Sequence, residues 1–240
     1  MATTSLTYLQ QGLHSLMMLE SFSLFCIYLM LIPLALVWRR ITSPLQLRPI
    51  LVVHNFGCSL LSLYCFLGFS YGLYQSGSLF KKGPSEHLKL YFWMYYITKI
   101  LELMDTVFMI LRHKQRQITF LHIYHHGSML LLSDLAIHFY PWPAIAPYLG
   151  LNSLVHIVLY CYYGLTALFP ENPPQWKQRL TEFQILQFCI DFIHVIYGYL
   201  YHGFCIYGLL YGISMTYLFT NFYYHAYIKR KASKDISKQE

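Results

Sequence analysis

The chain has 240 residues, of which 56% are hydrophobic and only 11% are charged, whereas about a quarter of the residues in a soluble globular domain are charged. This composition excludes an ordinary soluble domain and indicates an integral membrane protein. The net charge of +7 does not indicate nucleic-acid binding, because no folded soluble region remains to carry a basic patch.

Seven apolar segments approach or reach the roughly 20 residues that a helix needs to cross a bilayer. They lack the period-two alternation of a membrane β-barrel and are too long for spanning strands. The sequence therefore predicts an all-α integral membrane bundle of seven transmembrane helices. In chain order the predicted spans are Phe22–Trp38, Ile50–Tyr74, Leu90–Leu111, Ile118–Phe139, Ala144–Leu168, Phe183–Tyr201 and Cys205–Ile228.

The positions of lysine and arginine predict the orientation, because these residues concentrate in cytosolic loops. Thirteen of the 17 follow the first, third, fifth and seventh spans. They are Arg39, Arg40, Arg48, Arg112, Lys114, Arg116, Lys177, Arg179, Lys229, Arg230, Lys231, Lys234 and Lys238. We expect one membrane domain, residues 1–228, with a lumenal N-terminus, and a basic cytosolic tail, residues 229–240.

The third predicted span contains four polar residues, Lys99, Glu102, Asp105 and Thr106. Ionisable groups within a bilayer are costly and usually functional. Steps of three and four residues place Lys99, Glu102 and Thr106 along one helix face, with Asp105 beside it. These residues either bind substrate or include a Lys–Glu ion pair that joins helices.

The fourth span begins with a histidine cluster, His122, His125 and His126. The i, i+3, i+4 spacing brings three imidazoles onto one helical face. Desolvation disfavours the charged form of a buried imidazole, so these rings are expected to be neutral and therefore nucleophilic or metal-ligating.

The fifth span carries further polar residues at helical spacing, which predicts a polar face directed into the bundle. These residues are Asn152, His156, Tyr160 and Tyr163. The sixth span adds Gln184, Gln187, Asp191 and His194, and the seventh adds Asn221 and His225. Hydrogen bonding between helices explains the glutamines and Asn221 adequately.

Three functions are compatible with these residues. A neutral imidazole can attack a thioester to form an acyl-imidazole, and an acyl-CoA could leave its charged part in cytosolic water while its chain enters the bundle. The H-x-x-H-H pattern also suits iron ligation in a membrane di-iron desaturase or hydroxylase, although the other histidines form no second box. A seven-helix receptor or transporter fits the span count but does not explain the histidine cluster.

Five segments resemble the motifs of the fatty-acid elongase family, the membrane condensing enzymes that lengthen very-long-chain acyl-CoAs. In chain order they are KILELMDTVF, FLHIYHH, NSLVHIVLYCYY, TEFQILQF and LFTNFYYHAY. The context QITFLHIYHHGSM is closer to members acting on polyunsaturated or very long chains. Where members commonly have Tyr-Asn, this chain has His54-Asn55.

The resemblance implies condensation of malonyl-CoA with an acyl-CoA to a 3-oxoacyl-CoA two carbons longer, with CO2 and CoA released and no metal or other cofactor. His125 would carry the acyl group, His156 would face it as a base or as part of the malonyl site, and His122 and His126 would orient the cluster. The residues lining an acyl tunnel would be Asn152, Tyr160, Tyr163, Gln184 and Gln187.

The resemblance also implies a location and partners. We expect a multi-pass protein of the endoplasmic reticulum membrane that works with the reductases and dehydratase of the elongation cycle. The sequence leaves homo-oligomerisation open.

Overall fold

The computed structural model of the protein describes residues 17–229, which form eight α-helices and no β-strand. The helices are α1 (Glu20–Ile41), α2 (Arg48–Ser76), α3 (Glu86–Glu102), α4 (Met104–Leu111), α5 (Phe120–Phe139), α6 (Ala146–Leu168), α7 (Lys177–His202) and α8 (Ile206–Tyr223). A 3-10 turn spans Gln115–Gln117, and a π-helix, Tyr224–Lys229, continues α8. The predicted all-α class is confirmed for these residues.

Every predicted span coincides with helix, but their membrane character differs. Four helices, α1, α2, α6 and α7, are long and apolar enough to cross a bilayer. Helix α5 has sufficient length at 20 residues, but its histidines and Asp134 lower its mean hydropathy. Helix α8 has only 18 residues, and its tyrosines act in the same direction.

The predicted third span is not one uninterrupted α-helix. It is divided at Leu103 into α3 and α4. The Leu103 N–H donates to the Ile100 carbonyl at 3.2 Å, and the Thr106 N–H donates to the Leu103 carbonyl at 3.1 Å. Both bonds step back three residues, as in a 3-10 turn. The tightened turn lies between Lys99 and Thr106, within the polar cluster.

The described helices fall into two compact units. The first unit contains α1, α3, α4 and α5, with α3 and α1 packed on α5. The second contains α2, α6, α7 and α8, with α2 packed along α6 and α7 packed against both α6 and α8. The histidine cluster belongs to the first unit and His156 to the second.

Close helix packing in the second unit depends on small residues and on one arginine. A Cβ placed on Gly164 of α6 would lie 3.0 Å from the ring of Phe56 in α2. Arg48, at the start of α2, donates to the carbonyls of Ala167 and Leu168 at 3.0 and 2.7 Å. This guanidinium satisfies carbonyls that the end of a helix leaves unpaired.

The predicted cytosolic tail lies almost entirely outside the described residues, which end at Lys229. The same is true of most of the segment before the first predicted span. Both terminal predictions therefore stay predictions.

Candidate active site

The histidine cluster lies in the first two turns of α5, whose start is fixed by a side-chain cap. Thr119 has an extended backbone, and its Oγ1 accepts a hydrogen bond from the His122 N–H at 3.2 Å. Such a threonine satisfies one of the free N–H groups at a helix start. The cap therefore fixes the backbone of His122 directly.

The three imidazoles form one cluster, as predicted. The ring centroids of His122 and His126 are 4.4 Å apart, and those of His125 and His126 are 5.5 Å apart. His125 is buried, with 9% of its surface exposed, and the other two are half-buried. A set of neighbouring, desolvated imidazoles can combine a nucleophile with proton donors and acceptors.

A threonine of α4 connects the cluster to its surroundings. The Oγ1 of Thr106 lies 2.7 Å from Nε2 of His122 and 3.2 Å from the hydroxyl of Tyr28 in α1. Thr106 is fully buried and Tyr28 is 1% exposed. This contact joins Thr106 to the histidine cluster, and its predicted role in binding substrate stays a prediction, whereas Tyr28 was not predicted from the sequence. A single tyrosine in an apolar helix carries no spacing signal.

Two of the predicted polar residues of the third span, Lys99 and Glu102, form a buried ion pair that is separate from the contact of Thr106 with His122. Lys99 Nζ lies 2.8 and 3.0 Å from the two carboxylate oxygens of Glu102, and both residues are buried. The Lys99 ammonium also lies 4.6 Å from the centroid of the Tyr95 ring, a cation–π contact. These contacts favour the ion-pair hypothesis for Lys99 and Glu102. Asp105 is half-buried beside them.

His156 lies on a buried stripe of α6 in the second unit. Asn152, His156 and Tyr160 are 4%, 3% and 1% exposed. The ring of Tyr160 is 5.6 Å from that of His156 and meets His54 of α2 edge-on at 6.3 Å. The predicted polar face of the fifth span is thus confirmed for these three residues.

Tyr163 departs from the prediction, because 42% of it is exposed. Near this end of α6 the buried position is occupied by the neighbouring Tyr162, whose ring packs edge-on against Trp176 at 4.9 Å. The face of α6 that packs changes towards the helix end, so the spacing rule that held for His156 fails for Tyr163.

The glutamines of the sixth span lie at different depths in α7. Gln187 is buried and its Nε2 donates to Asp191 Oδ2 at 3.0 Å, whereas Gln184 is half-buried. His194 meets the ring of Tyr148 edge-on at 4.9 Å. In the seventh span, Asn221 and His225 are exposed.

The side-chain geometry gives no metal-binding cage in the part of the chain that the structure describes. Among residues 17–229, no three His, Cys, Asp or Glu side chains are grouped so as to hold a metal ion. The iron hypothesis for the H-x-x-H-H pattern therefore gains no support from the positions of possible ligands.

Comparisons with known proteins identify the family. Residues 16–235 match the ELO family, described as the GNS1/SUR4 family. The human protein named very long chain fatty acid elongase 5 is 37% identical over 224 residues, which cover 87% of this chain and 74% of the human one. The proteins of the same name from Bos taurus and Tachysurus fulvidraco are 36% and 34% identical and are covered over 74% and 79% of their lengths. On these matches, the chain belongs to the GNS1/SUR4 family of proteins.

Proposed function

We propose that this protein is the condensing enzyme of fatty acid elongation, an acyltransferase of the 3-oxoacyl-CoA synthase type. It joins malonyl-CoA to a long-chain or very-long-chain acyl-CoA, giving a 3-oxoacyl-CoA two carbons longer, CO2 and CoA. Membership of the GNS1/SUR4 family, whose matched relatives are named very long chain fatty acid elongases, is the observation that carries this conclusion. The clustered imidazoles of α5 supply suitable chemistry.

The first half of the reaction requires a nucleophile, a role that we assign to His125. A ring nitrogen of this buried imidazole attacks the thioester carbonyl, the carbon–sulfur bond breaks, and CoA leaves as a thiolate that takes up the ring proton. The product is an acyl-imidazole, which divides one difficult displacement into two easier steps. His126, whose ring is 5.5 Å from that of His125, and His122 orient the cluster and support the charge that develops on the carbonyl oxygen.

The second half forms the new carbon–carbon bond. Malonyl-CoA loses CO2, and the carbanion formed at its C2 attacks the acyl carbon while the bond to His125 breaks and the released ring nitrogen takes up a proton from the solvent. We assign His156 to this step as a base or as part of the malonyl site. Asn152 and Tyr160, which share its buried stripe, and Gln184 and Gln187 are proposed to line the path of the acyl chain. The reaction as proposed needs no metal or other cofactor.

The proposal includes a topology. Seven spans would enclose an acyl tunnel in the endoplasmic reticulum membrane, with a lumenal N-terminus and a cytosolic C-terminus. Support comes from the distribution of lysine and arginine and from the helical structure that forms within each of the seven predicted segments. The 3-oxo product requires enzymes that reduce, dehydrate and again reduce it, so reductases and a dehydratase are the expected functional partners.

Intact-mass analysis of purified protein incubated with a long-chain acyl-CoA tests the central step. We expect a mass increase equal to one acyl group, lost on addition of malonyl-CoA as the 3-oxoacyl-CoA appears. The His125→Ala variant should form neither adduct nor product. The matched control is His87→Ala, which removes an exposed histidine at the start of α3 and should behave as the wild type.

Two outcomes would contradict the proposal. Normal product formation by His125→Ala would remove the nucleophile assignment. Stoichiometric iron in the purified protein, with activity lost on chelation, would favour the oxidase alternative instead.

A further inference from the structure

A chain of two hydrogen bonds leads from the first helix to the histidine cluster. It runs from the Tyr28 hydroxyl in α1 to Thr106 Oγ1 in α4 at 3.2 Å, and from there to Nε2 of His122 in α5 at 2.7 Å. Tyr28 lies outside all five sequence motifs. Because both hydroxyl-bearing residues are at most 1% exposed, the positions of their protons can be deduced from the partners available.

The Tyr28 hydroxyl determines which atom donates in each of the two hydrogen bonds. Within residues 17–229, Thr106 Oγ1 is its one hydrogen-bond partner. A buried hydroxyl hydrogen without an acceptor costs free energy, so Tyr28 must donate to Thr106. The Thr106 oxygen then accepts from Tyr28, and its own hydrogen is directed to the other partner, Nε2 of His122.

The protonation of His122 follows from this direction. A ring nitrogen that accepts a hydrogen bond carries no proton, so neutral His122 must carry its proton on Nδ1. The reverse direction, from Nε2–H through Thr106 to Tyr28, would leave the Tyr28 hydrogen without an acceptor.

The first helix is held firmly in this position by packing next to the cluster. Tyr28 forms a buried core with Leu103 and Leu130. Directly after the histidine motif, a Cβ placed on Gly127 would lie 2.9 Å from the Phe25 ring and 3.8 Å from the Tyr28 ring. The absence of a side chain at Gly127 lets α1 approach α5 where Tyr28 must reach Thr106.

We propose that Tyr28 is a positioning residue that, through Thr106, holds His122 as the Nδ1–H tautomer. His122 then serves the reaction as a hydrogen-bond donor through Nδ1 and not as a base through Nε2. A fixed donor is what stabilises the negative charge of an acyl-transfer intermediate. This catalytic consequence rests on the proposed function, whereas the tautomer itself does not.

Nitrogen NMR of the protein in lipid bilayers tests the tautomer directly. With 15N in the histidine rings, the His122 signals are identified by their absence from a His122→Asn sample. The wild type should show a protonated Nδ1 and an unprotonated Nε2 at His122. In Tyr28→Phe, the Thr106 hydroxyl is free to turn towards a carbonyl of its own helix, so both tautomers should be populated.

Kinetics test the role in catalysis. Tyr28→Phe should lower kcat about tenfold and Thr106→Val about 100-fold, with KM changed less than about twofold, as for groups that orient a catalytic side chain. The control is Tyr96→Phe, because Tyr96 packs against the same core but takes no part in the hydrogen bonds from Tyr28 through Thr106 to His122. Its kcat and its His122 spectrum should match the wild type.

The results separate the two proposals. A wild-type His122 protonated on Nε2 would overturn the tautomer assignment even if Tyr28→Phe failed to fold. A Tyr28→Phe variant whose kcat equals that of Tyr96→Phe would overturn the positioning role. Absence of an acyl adduct on His125, with the Nδ1–H tautomer observed at His122, would instead count against the proposed acyl-transfer mechanism alone.

Discussion

The two units hold their histidines in place by different means. In the first unit, buried polar groups are paired across short distances, as in the Lys99–Glu102 ion pair and the Thr106–His122 hydrogen bond. In the second, the His156 ring packs against the ring of Tyr160 in α6, and the same helix approaches Phe56 of α2 closely at Gly164. In the first unit the paired polar groups fix where their protons lie, whereas in the second unit the close packing of rings and helices fixes the side-chain positions. We therefore expect the first unit to be sensitive to loss of one charge and the second to added volume.

Breaking the buried ion pair should give the largest loss. Lys99→Met removes the cation that lies 2.8 and 3.0 Å from the oxygens of the buried Glu102 carboxylate, at a cost of about 3–5 kcal/mol in the free energy of unfolding. Lys89→Met is the matched control, because Lys89 pairs with Glu86 in the same helix at the same spacing but both side chains are more than half exposed. The control should cost at most about 1 kcal/mol. Denaturant unfolding in detergent measures both.

A double variant tests whether that pair is architectural. Replacing Lys99 and Glu102 together by methionine removes both charges, and the stability should return close to that of the wild type. Recovery of stability together with condensing activity would support the ion-pair role. Recovery of stability without activity would instead indicate that the pair contacts substrate.

Added volume should affect the second unit next. Gly164→Ala places a methyl group 3.0 Å from the Phe56 ring and should cost about 1–3 kcal/mol by overpacking. Gly57→Ala, in the helix that carries Phe56, meets nothing within 4 Å and should stabilise by up to about 1 kcal/mol. The thermal midpoints of the two variants should move in opposite directions. Equal shifts would contradict the idea that shape controls this unit.

An aromatic stack should show a smaller effect at another part of the second unit. Phe80 lies between the rings of His194 and His202, with centroid distances of 4.6 and 4.3 Å and nearly parallel planes. Phe80→Leu keeps apolar volume but removes the stacking, which should cost about 1 kcal/mol. Limited proteolysis between α2 and α3 should accelerate. Leu79→Ala, at a neighbouring exposed position, should leave the cleavage rate nearly unchanged.

The smallest expected effect concerns the loop that leads to the histidine helix. His113 adopts φ 55°, and the N–H groups of His113 and Lys114 donate to the carbonyls of Ile110 and Met109 at the end of α4. Glycine favours this conformation, so His113→Gly should gain stability from the backbone. That gain should be about equal to the stability lost with the 3.1 Å hydrogen bond between His113 and Thr42. His113→Ala loses the hydrogen bond to Thr42 without that backbone gain and should be less stable than the wild type by about 1 kcal/mol.

The order of these two variants is the measurement that matters. Thermal unfolding should place His113→Gly near the wild type and above His113→Ala. The reverse order would show that the ring of His113 contributes more than its single bond to Thr42.

Much of the candidate site could be predicted from periodicity. The spacing of three and four residues correctly grouped His122, His125 and His126 and correctly paired Lys99 with Glu102, because a helix brings such residues together whatever its surroundings. The same rule failed at Tyr163, since it states which residues share a face but not which part of that face is buried. Tyr28 gave no signal, because its contact with Thr106 joins residues 78 positions apart.

The sequence by itself determined the helical class, the approximate extent of each helix and the family motifs, because apolar length and helical period are local properties of the chain. Tertiary structure decided the tightened turn at Leu103, the approach of α1 at Gly127 and the hydrogen bonds that reach His122. These depend on which faces of distant helices meet and on which rotamers their side chains adopt there. The protonation of a buried histidine is a property of that meeting and not of the motif that contains it.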